Sequence, residues 1–346
     1  MSKIKAAHSS NTHFRRVGRA ALQPVKENLG ILIGFFILCL ILWLQSPVFL
    51  SENNILNVLR QVSTNLYVAC GMTMVIILGG IDLSVGSTIA LTGVVTGGMI
   101  AFSNLDIVPA VICGLLVGLI VGCINGLIIS KTTIPPFIVT LSTMNIARGF
   151  AYVYTGGQPI RVMSDEFNFI GAGYVGNIPI PIIYLIVILF ITFIIMGKSK
   201  LGRHIYAVGG NMQAALFSGI KTHRIQFFAY VFSGFMSSIA GIVLASRMFS
   251  GQPTAGEGAE MDAIAAVVLG GTSMSGGFGK IGGTVIGALI IGVLSNGLNL
   301  LGINSFWQYV LKGVVILIAV YIDYLRKNQS IRIFKKRTKS EKVQQA

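Results

Sequence analysis

The chain has 346 residues, 53% hydrophobic and only 11% charged, with 26 Lys and Arg against 11 Asp and Glu for a net charge of +15. Apolar runs near the length of a bilayer crossing recur along it, which excludes a soluble globular domain and reads as a polytopic membrane protein. The positive charges sit between and beyond those runs and form no groove-sized patch, so no nucleic acid is expected as a partner and the lipid bilayer is the expected surrounding.

A basic segment, 1–27, leads into an uncharged apolar run at 28–46. The lead is too long for a cleaved signal peptide and no small-x-small site follows, so 28–46 is expected to be retained as the first span. Hydropathy and turn residues place the others at 56–80, 84–103, 107–130, 135–155, 179–197, 226–247, 262–273, 281–300 and 306–324, ahead of a basic tail at 325–346. The expected fold is all-α, about ten transmembrane helices over 28–324. The eighth span departs from a plain helix: "LGGTSMSGGFGKIGG" is glycine-rich and fits a re-entrant or broken segment.

With the N-terminus inside, the loops on that side collect Lys131, Lys198, Lys200, Arg203, Lys221, Arg224 and Lys280, joined by both basic ends, while Arg161 and Arg247 fall outside or at boundaries. That bias predicts an even number of spans with both termini cytoplasmic. The outer loops then carry Asp106, Asp165, Glu166, Glu257 and Glu260. In the fourth span Gly114, Gly118, Gly122 and Gly126 leave one helix face bare, for close packing within the subunit or against a second copy. Leu78-Gly79-Gly80 with Ser84 and Gly86 echoes Leu269-Gly270-Gly271 with Ser275 and Gly277, from chance, a shared turn or a repeat. The four cysteines lie inside apolar runs and read as packing residues.

Several motifs are rejected on context. "GAGYVG" at 171–176 fits a dinucleotide pattern but sits in an outer loop, and "GGFGKIGG" lacks the residues of a phosphate-binding loop. No metal-ligand or nucleophile pattern occurs, so neither catalysis nor a cofactor is expected in this chain.

The polar residues in apolar surroundings are the candidates. Asp82, with Ser84, either caps the third span or lines a polar pathway. Asn145 and Arg148 share a face of the fifth span near Thr140 and Ser142, as a pathway or as helix-to-helix hydrogen bonding. Arg60 and Lys312 are expected to snorkel to an interface. Glu257, Glu260 and Asp262, in an outer acidic loop, would meet either a substrate or a basic patch on another protein.

"GMTMVIILGGIDLSVGSTIALTG", "LGRHIYAVGGNMQAALFSGI" and "QPTAGEGAEMDAIAAVVLGGTSMSGGFG" together resemble the ribose-type permease subunits of bacterial ATP-binding cassette (ABC) importers, over roughly 46–323. Met261 departs from the leucine usual there, a swap of similar volume. The resemblance implies an inner-membrane permease that is not itself an enzyme. It also implies a second permease copy, a separate ATPase subunit that binds ATP and Mg, and a periplasmic sugar-binding protein. Within the loop 197–225, Asn211 is a good N-cap, Met212, Ala215 and Leu216 fall on one face, and Gly219 sits where a helix would end. By resemblance this is the ATPase-coupling helix, with Gly209 and Gly210 before it. Without the resemblance it is equally an amphipathic connector on the membrane surface. Two other classes remain: an ion-coupled transporter titrating Asp82, and a glycine-packed channel.

Overall fold

Apolar runs become helices and the polar breaks become turns in the computed structural model, which describes residues 29–103, 105–304, 306–318, 320, 321 and 324. The basic segments 1–27 and 325–346 of the sequence reading lie outside the described residues. The helices are α1 (Leu29–Gln45), α2 (Glu52–Ile77), α3 (Val85–Ala101), α4 (Ile107–Lys131), α5 (Pro136–Thr155), α6 (Asp165–Ala172), α7 (Ile180–Lys198), α8 (Lys200–Gly210), α9 (Met212–Phe217), α10 (Thr222–Arg247), α11 (Ala259–Leu269) and α12 (Ile281–Leu300). A further apolar helix, α13, covers Phe306–Ile318. Two-residue strands form two small antiparallel pairs, β1 (Ile160–Arg161) with β4 (Ser250–Gly251) and β2 (Tyr174–Val175) with β3 (Ile178–Pro179). The protein is an all-α membrane protein: α4, α7, α10 and α12 are long and apolar enough to cross a bilayer.

Helix boundaries depart most from hydropathy where the first turn is polar. The helix α2 begins at Glu52 because Ser51 caps it, accepting the Asn54 N–H, and α10 begins at Thr222. Hydropathy registers neither polar turn.

Two helices form the centre. Every residue of α2 from Leu66 to Ile77 is buried, although its composition is only moderately apolar. Its hydroxyls are satisfied within the helix, Ser63 donating to Leu59 O at 2.7 Å and Thr73 to Ala69 O at 2.6 Å, so a polar helix can sit in a dry core. The apolar window of α10 is 67% buried against 28% for those of α4 and α7, which therefore turn most of their surface outward to lipid.

The glycine ladder of α4 packs against α10. A Cβ at Gly122 would lie 2.7 Å from Tyr230 O, one at Gly126 2.9 Å from Phe227 O, and one at Gly118 2.6 Å from Gly234 O. The bare face is thus filled within the subunit, at backbone-to-backbone distance. On α12, Gly287 meets Gly270 N of the α11 end in the same way at 2.9 Å.

The eighth expected span is not a complete crossing. Eleven residues give α11 a length of about 16 Å, half a hydrocarbon core. The chain enters it through the short strand β4 and a run of turns, 252–258, and leaves through the glycine loop 270–280. It is a broken helix, one of the two forms the glycine content allowed.

Candidate functional site

Three constructions hold the polar residues, beginning with the loop between α7 and α10. The polar interruption folds as two helices. Ser199 starts α8 by accepting the Gly202 N–H at 3.1 Å, and Gly202, Ile205 and Val208 form its buried face. Asn211 caps α9, its Oδ1 accepting the Ala214 N–H at 2.9 Å. Gly219, at φ 80°, ends the helix, with the Ile220 N–H returning to Ala215 O at 3.0 Å. Ala215 is buried within the chain, whereas Met212 and Leu216 face outward with Phe217, which is 87% exposed. The sequence reading grouped Ala215 with the outward pair and missed Phe217. Helical spacing gives neighbours on a face but not where the edge of burial falls.

The α8–α9 corner is pressed onto main chain from two other places. A Cβ on Gly209 would overlap the carbonyl oxygen of Ile77, the last residue of α2, and lie 2.9 Å from Gly277 N. Gly277, at φ 77°, donates its N–H to Ile77 O at 2.8 Å, and its own Cβ would lie 2.7 Å from Gly210 Cα. Tyr206 adds a hydrogen bond from its hydroxyl to Gly279 O at 2.8 Å. Gly210, by contrast, has open space where a side chain would project. The corner therefore touches the end of α2 and the loop between α11 and α12, besides its covalent neighbours α7 and α10. These two loops, 78–84 and 270–280, contain the internal echo, and here they meet.

The second construction surrounds Asp82, which is 1% exposed. Its Oδ1 accepts the Ser84 N–H at 3.0 Å and the Ser84 hydroxyl at 2.6 Å, and its Oδ2 accepts the Ser233 hydroxyl of α10 at 2.8 Å. The network continues through Asn125, which donates to Ser84 Oγ at 2.9 Å and accepts from Thr143 at 2.7 Å. Asp82 thus ties α3, α4, α5 and α10 together and serves the start of α3 as the cap reading anticipated. It lines neither of the cavities described below.

The third construction corrects the sequence reading. Glu257 and Glu260 were expected in an outer loop, but the segment 250–258 runs down alongside α3 into the bundle. A Cβ on Gly251 would lie 2.8 Å from Val94 Cα, and one on Gly86 would overlap both Gly256 O and the Glu260 carboxylate. At about 1.5 Å per residue, the turns between Gly86 and Ala101 put Glu260 roughly 22 Å below the far end of α3. The sequence reading opens the eighth span at 262 and leaves Glu257 and Glu260 in the loop before it, because hydropathy carries no sign that a polar segment descends alongside another helix.

At this depth the scattered candidates come together. Arg148 Nη1 donates to Pro253 O at 2.6 Å and Ala255 O at 2.8 Å, clamping the descending segment to α5, within electrostatic reach of Glu257 and Glu260. Asp262 accepts from Lys312 Nζ of α13 at 2.8 Å. Lys312 is therefore an ion-pair partner here, and the snorkelling expectation does not hold for it. Arg60 does end in a contact, its guanidinium lying 4.9 Å over the Tyr174 ring. Asn145 does not join the cluster: it is exposed and donates back to Leu141 O at 3.0 Å. Charges at membrane depth are retained with partners or for function, and here Arg148, Lys312 and Arg247 surround three carboxylates.

Two cavities open on this cluster. One, about 500 Å³, lies between α11 and α13 and is lined by Glu257, Glu260, Asp262, Gln308, Tyr309 and Lys312. The other, about 430 Å³, lies between α2, α10 and α11, with Gln61, Thr64, Asn65 and Arg247 facing Glu257 and Asp262. Sequence reasoning missed Gln308, Tyr309 and the α2 amides. The available signal was their recurrence at helical spacing in otherwise apolar runs.

A lipid-facing helical bundle with a broken helix and a paired charge cluster at depth defines an integral membrane permease. The chain belongs to the family of the branched-chain amino acid transport system permease component, whose model matches residues 54–320. The ribose import permease protein RbsC of Bacillus subtilis (strain 168) is 52% identical over 307 residues, 88% of this chain and 95% of that one. RbsC of Escherichia coli (strain K12) is 44% identical over 84% of this chain and 92% of its own length. The D-allose transport system permease protein AlsC of the same strain is 38% identical over 84% and 90%. No solved structure matches the chain.

Proposed function

We propose that this chain is the membrane-spanning subunit of an ABC importer that carries ribose or a related monosaccharide into the cytoplasm. The observation that carries the reading is the 52% identity to a ribose import permease across nearly the full length of both chains. In this reading the chain crosses the inner membrane about ten times with both termini cytoplasmic. In support, Lys131, Lys198, Lys200, Arg203, Lys221 and Arg224 all belong to the end of the bundle that carries α8 and α9.

A separate ATPase subunit binds ATP and Mg and receives the outward face of α9, with Met212, Leu216 and Phe217 in its groove. Closure of two such ATPases around ATP pulls on α8–α9. Through Gly209 and Gly277 the pull reaches α2 and the α11–α12 loop, and the pathway of a permease dimer opens toward a periplasmic sugar-binding protein. The drive is the difference in ATP affinity between the two conformations. The burial of Asp82 among three hydrogen-bond donors, away from both cavities, weighs against an ion-coupled mechanism that would titrate it.

The test is ATP hydrolysis in proteoliposomes holding this chain with a ribose-type ATPase subunit. Ribose-loaded binding protein is expected to stimulate hydrolysis and drive uptake. Assembly with no response to ribose would reject the sugar, and failure of the ATPase to associate would reject the coupling role of α9.

A further inference from the structure

The cavity between α11 and α13 has a composition that the importer reading does not require. We propose that it is a transit site for a neutral monosaccharide, in which sugar hydroxyls exchange with the Asp262–Lys312 ion pair as the ring passes; the inference rests on the importer reading above. Its volume of about 500 Å³ lies within the range of small-molecule sites, about 300–1,000 Å³.

Each sugar hydroxyl donates one hydrogen bond and accepts others, so a polyol needs mixed partners. Glu257, Glu260 and Asp262 accept, Lys312 donates, and Gln308 and Tyr309 do both. The two oxygens of a carboxylate match a vicinal diol, and the exposed Tyr309 ring offers an apolar surface to the C–H face of the sugar. Carboxylates outnumber the single cation in the lining, which disfavours phosphorylated or acidic sugars.

The ion pair itself supports exchange. A purely structural contact between α11 and α13 is served as well or better by apolar packing, since burying two charges offsets most of their attraction. The pair is incompletely buried, at 22% for Lys312 and 15% for Asp262, so incoming hydroxyls can reach it.

The experiment is alkylation of Gln308→Cys by N-ethylmaleimide in proteoliposomes of the full transporter, with and without D-ribose. None of the four native cysteines lines the cavity. Ribose is expected to slow labelling saturably, by about threefold or more at sugar concentrations above its affinity, and to leave Met163→Cys, at a 91% exposed position outside the cavity, unchanged. Equal rates with and without ribose, or equal slowing at both positions, overturn the proposal.

A second arm uses Asp262→Asn with Lys312→Met, which removes both charges together. This transporter is expected to keep its response of ATP hydrolysis to loaded binding protein while uptake falls about tenfold, a loss of coupling confined to sugar transit. Undiminished uptake overturns the site. If ribose protects Gln308→Cys but never stimulates ATP hydrolysis in the unsubstituted transporter, the site stands and the importer reading fails.

Discussion

The α8–α9 corner and the charged cluster deeper in the bundle are built from opposite materials. At the corner, Gly209, Gly276, Gly277 and Ile77 meet as bare main chain, held by the 2.8 Å hydrogen bond from Gly277 N–H to Ile77 O and flanked by the one from Tyr206 to Gly279 O. In the cluster, Lys312 of α13 meets Asp262 of α11 in one ion pair, and Arg148 of α5 reaches across to the Pro253 and Ala255 carbonyls. Backbone in van der Waals contact cannot yield without moving whole helices, so it passes displacement on. Side-chain ion pairs can exchange partners at modest cost, so they adapt to an occupant. Stiffness lies where force would enter, and exchangeable chemistry lies where a solute would pass.

The largest expected effect comes from breaking the stiff side. Gly209→Ala places a methyl group inside the Ile77 carbonyl oxygen, an overlap that no rotamer relieves, and overpacking of this kind costs about 1–3 kcal/mol. Sugar uptake is expected to fall more than about tenfold while the protein still inserts. Gly210→Ala, one residue on, projects into open space and is expected to transport normally. Equal effects at the two positions would refute the junction.

Leu216→Asp tests the outward side of the same corner. The carboxylate meets no partner within the chain but would be stranded in an apolar groove of the ATPase. Co-purification with that subunit should weaken about tenfold or more with little change in the thermal stability of the permease alone. Normal uptake would count against α9 as the docking helix.

On the exchangeable side, single and double substitutions should diverge. Lys312→Met alone leaves Asp262 unpaired at depth and is expected to cost about 1–3 kcal/mol, discounted for partial exposure. Adding Asp262→Asn should recover most of that stability in thermal unfolding. Independent, additive losses would mean that the pair is not coupled. Smallest of all, Asn211→Ala removes one cap bond and should cost about 1 kcal/mol, visible as faster hydrogen exchange confined to α9.

Much of this architecture was legible in sequence because composition speaks for itself over twenty residues. The runs at 107–130 and 281–300 became α4 and α12 almost residue for residue. The Asn211 cap and the Gly219 stop were legible because capping is local chemistry. What escaped was depth and partnership. The descent of 250–258 depends on Gly86 and Gly97 clearing a lane along α3, while Gly93 between them makes room for α10, a fact spread over more than one element. Lys312 looks like a lone interfacial lysine in the sequence because its partner, Asp262, is fifty residues away at the edge of another span.

The α4–α10 seam also bears on how the chain is made. Gly118 and Gly234 each clear space for the other's backbone, yet α10 is synthesised long after α4. At about 5–20 residues per second, the bare face of α4 waits on the order of ten seconds for its match. Lipid tails fill a glycine groove poorly, and the buried Ser233, Ser237 and Ser238 of α10 belong against protein. The seam therefore sets a schedule: the bundle closes late, when α10 enters the membrane, and a chain truncated before Thr222 would have no partner for its longest stretch of bare helix.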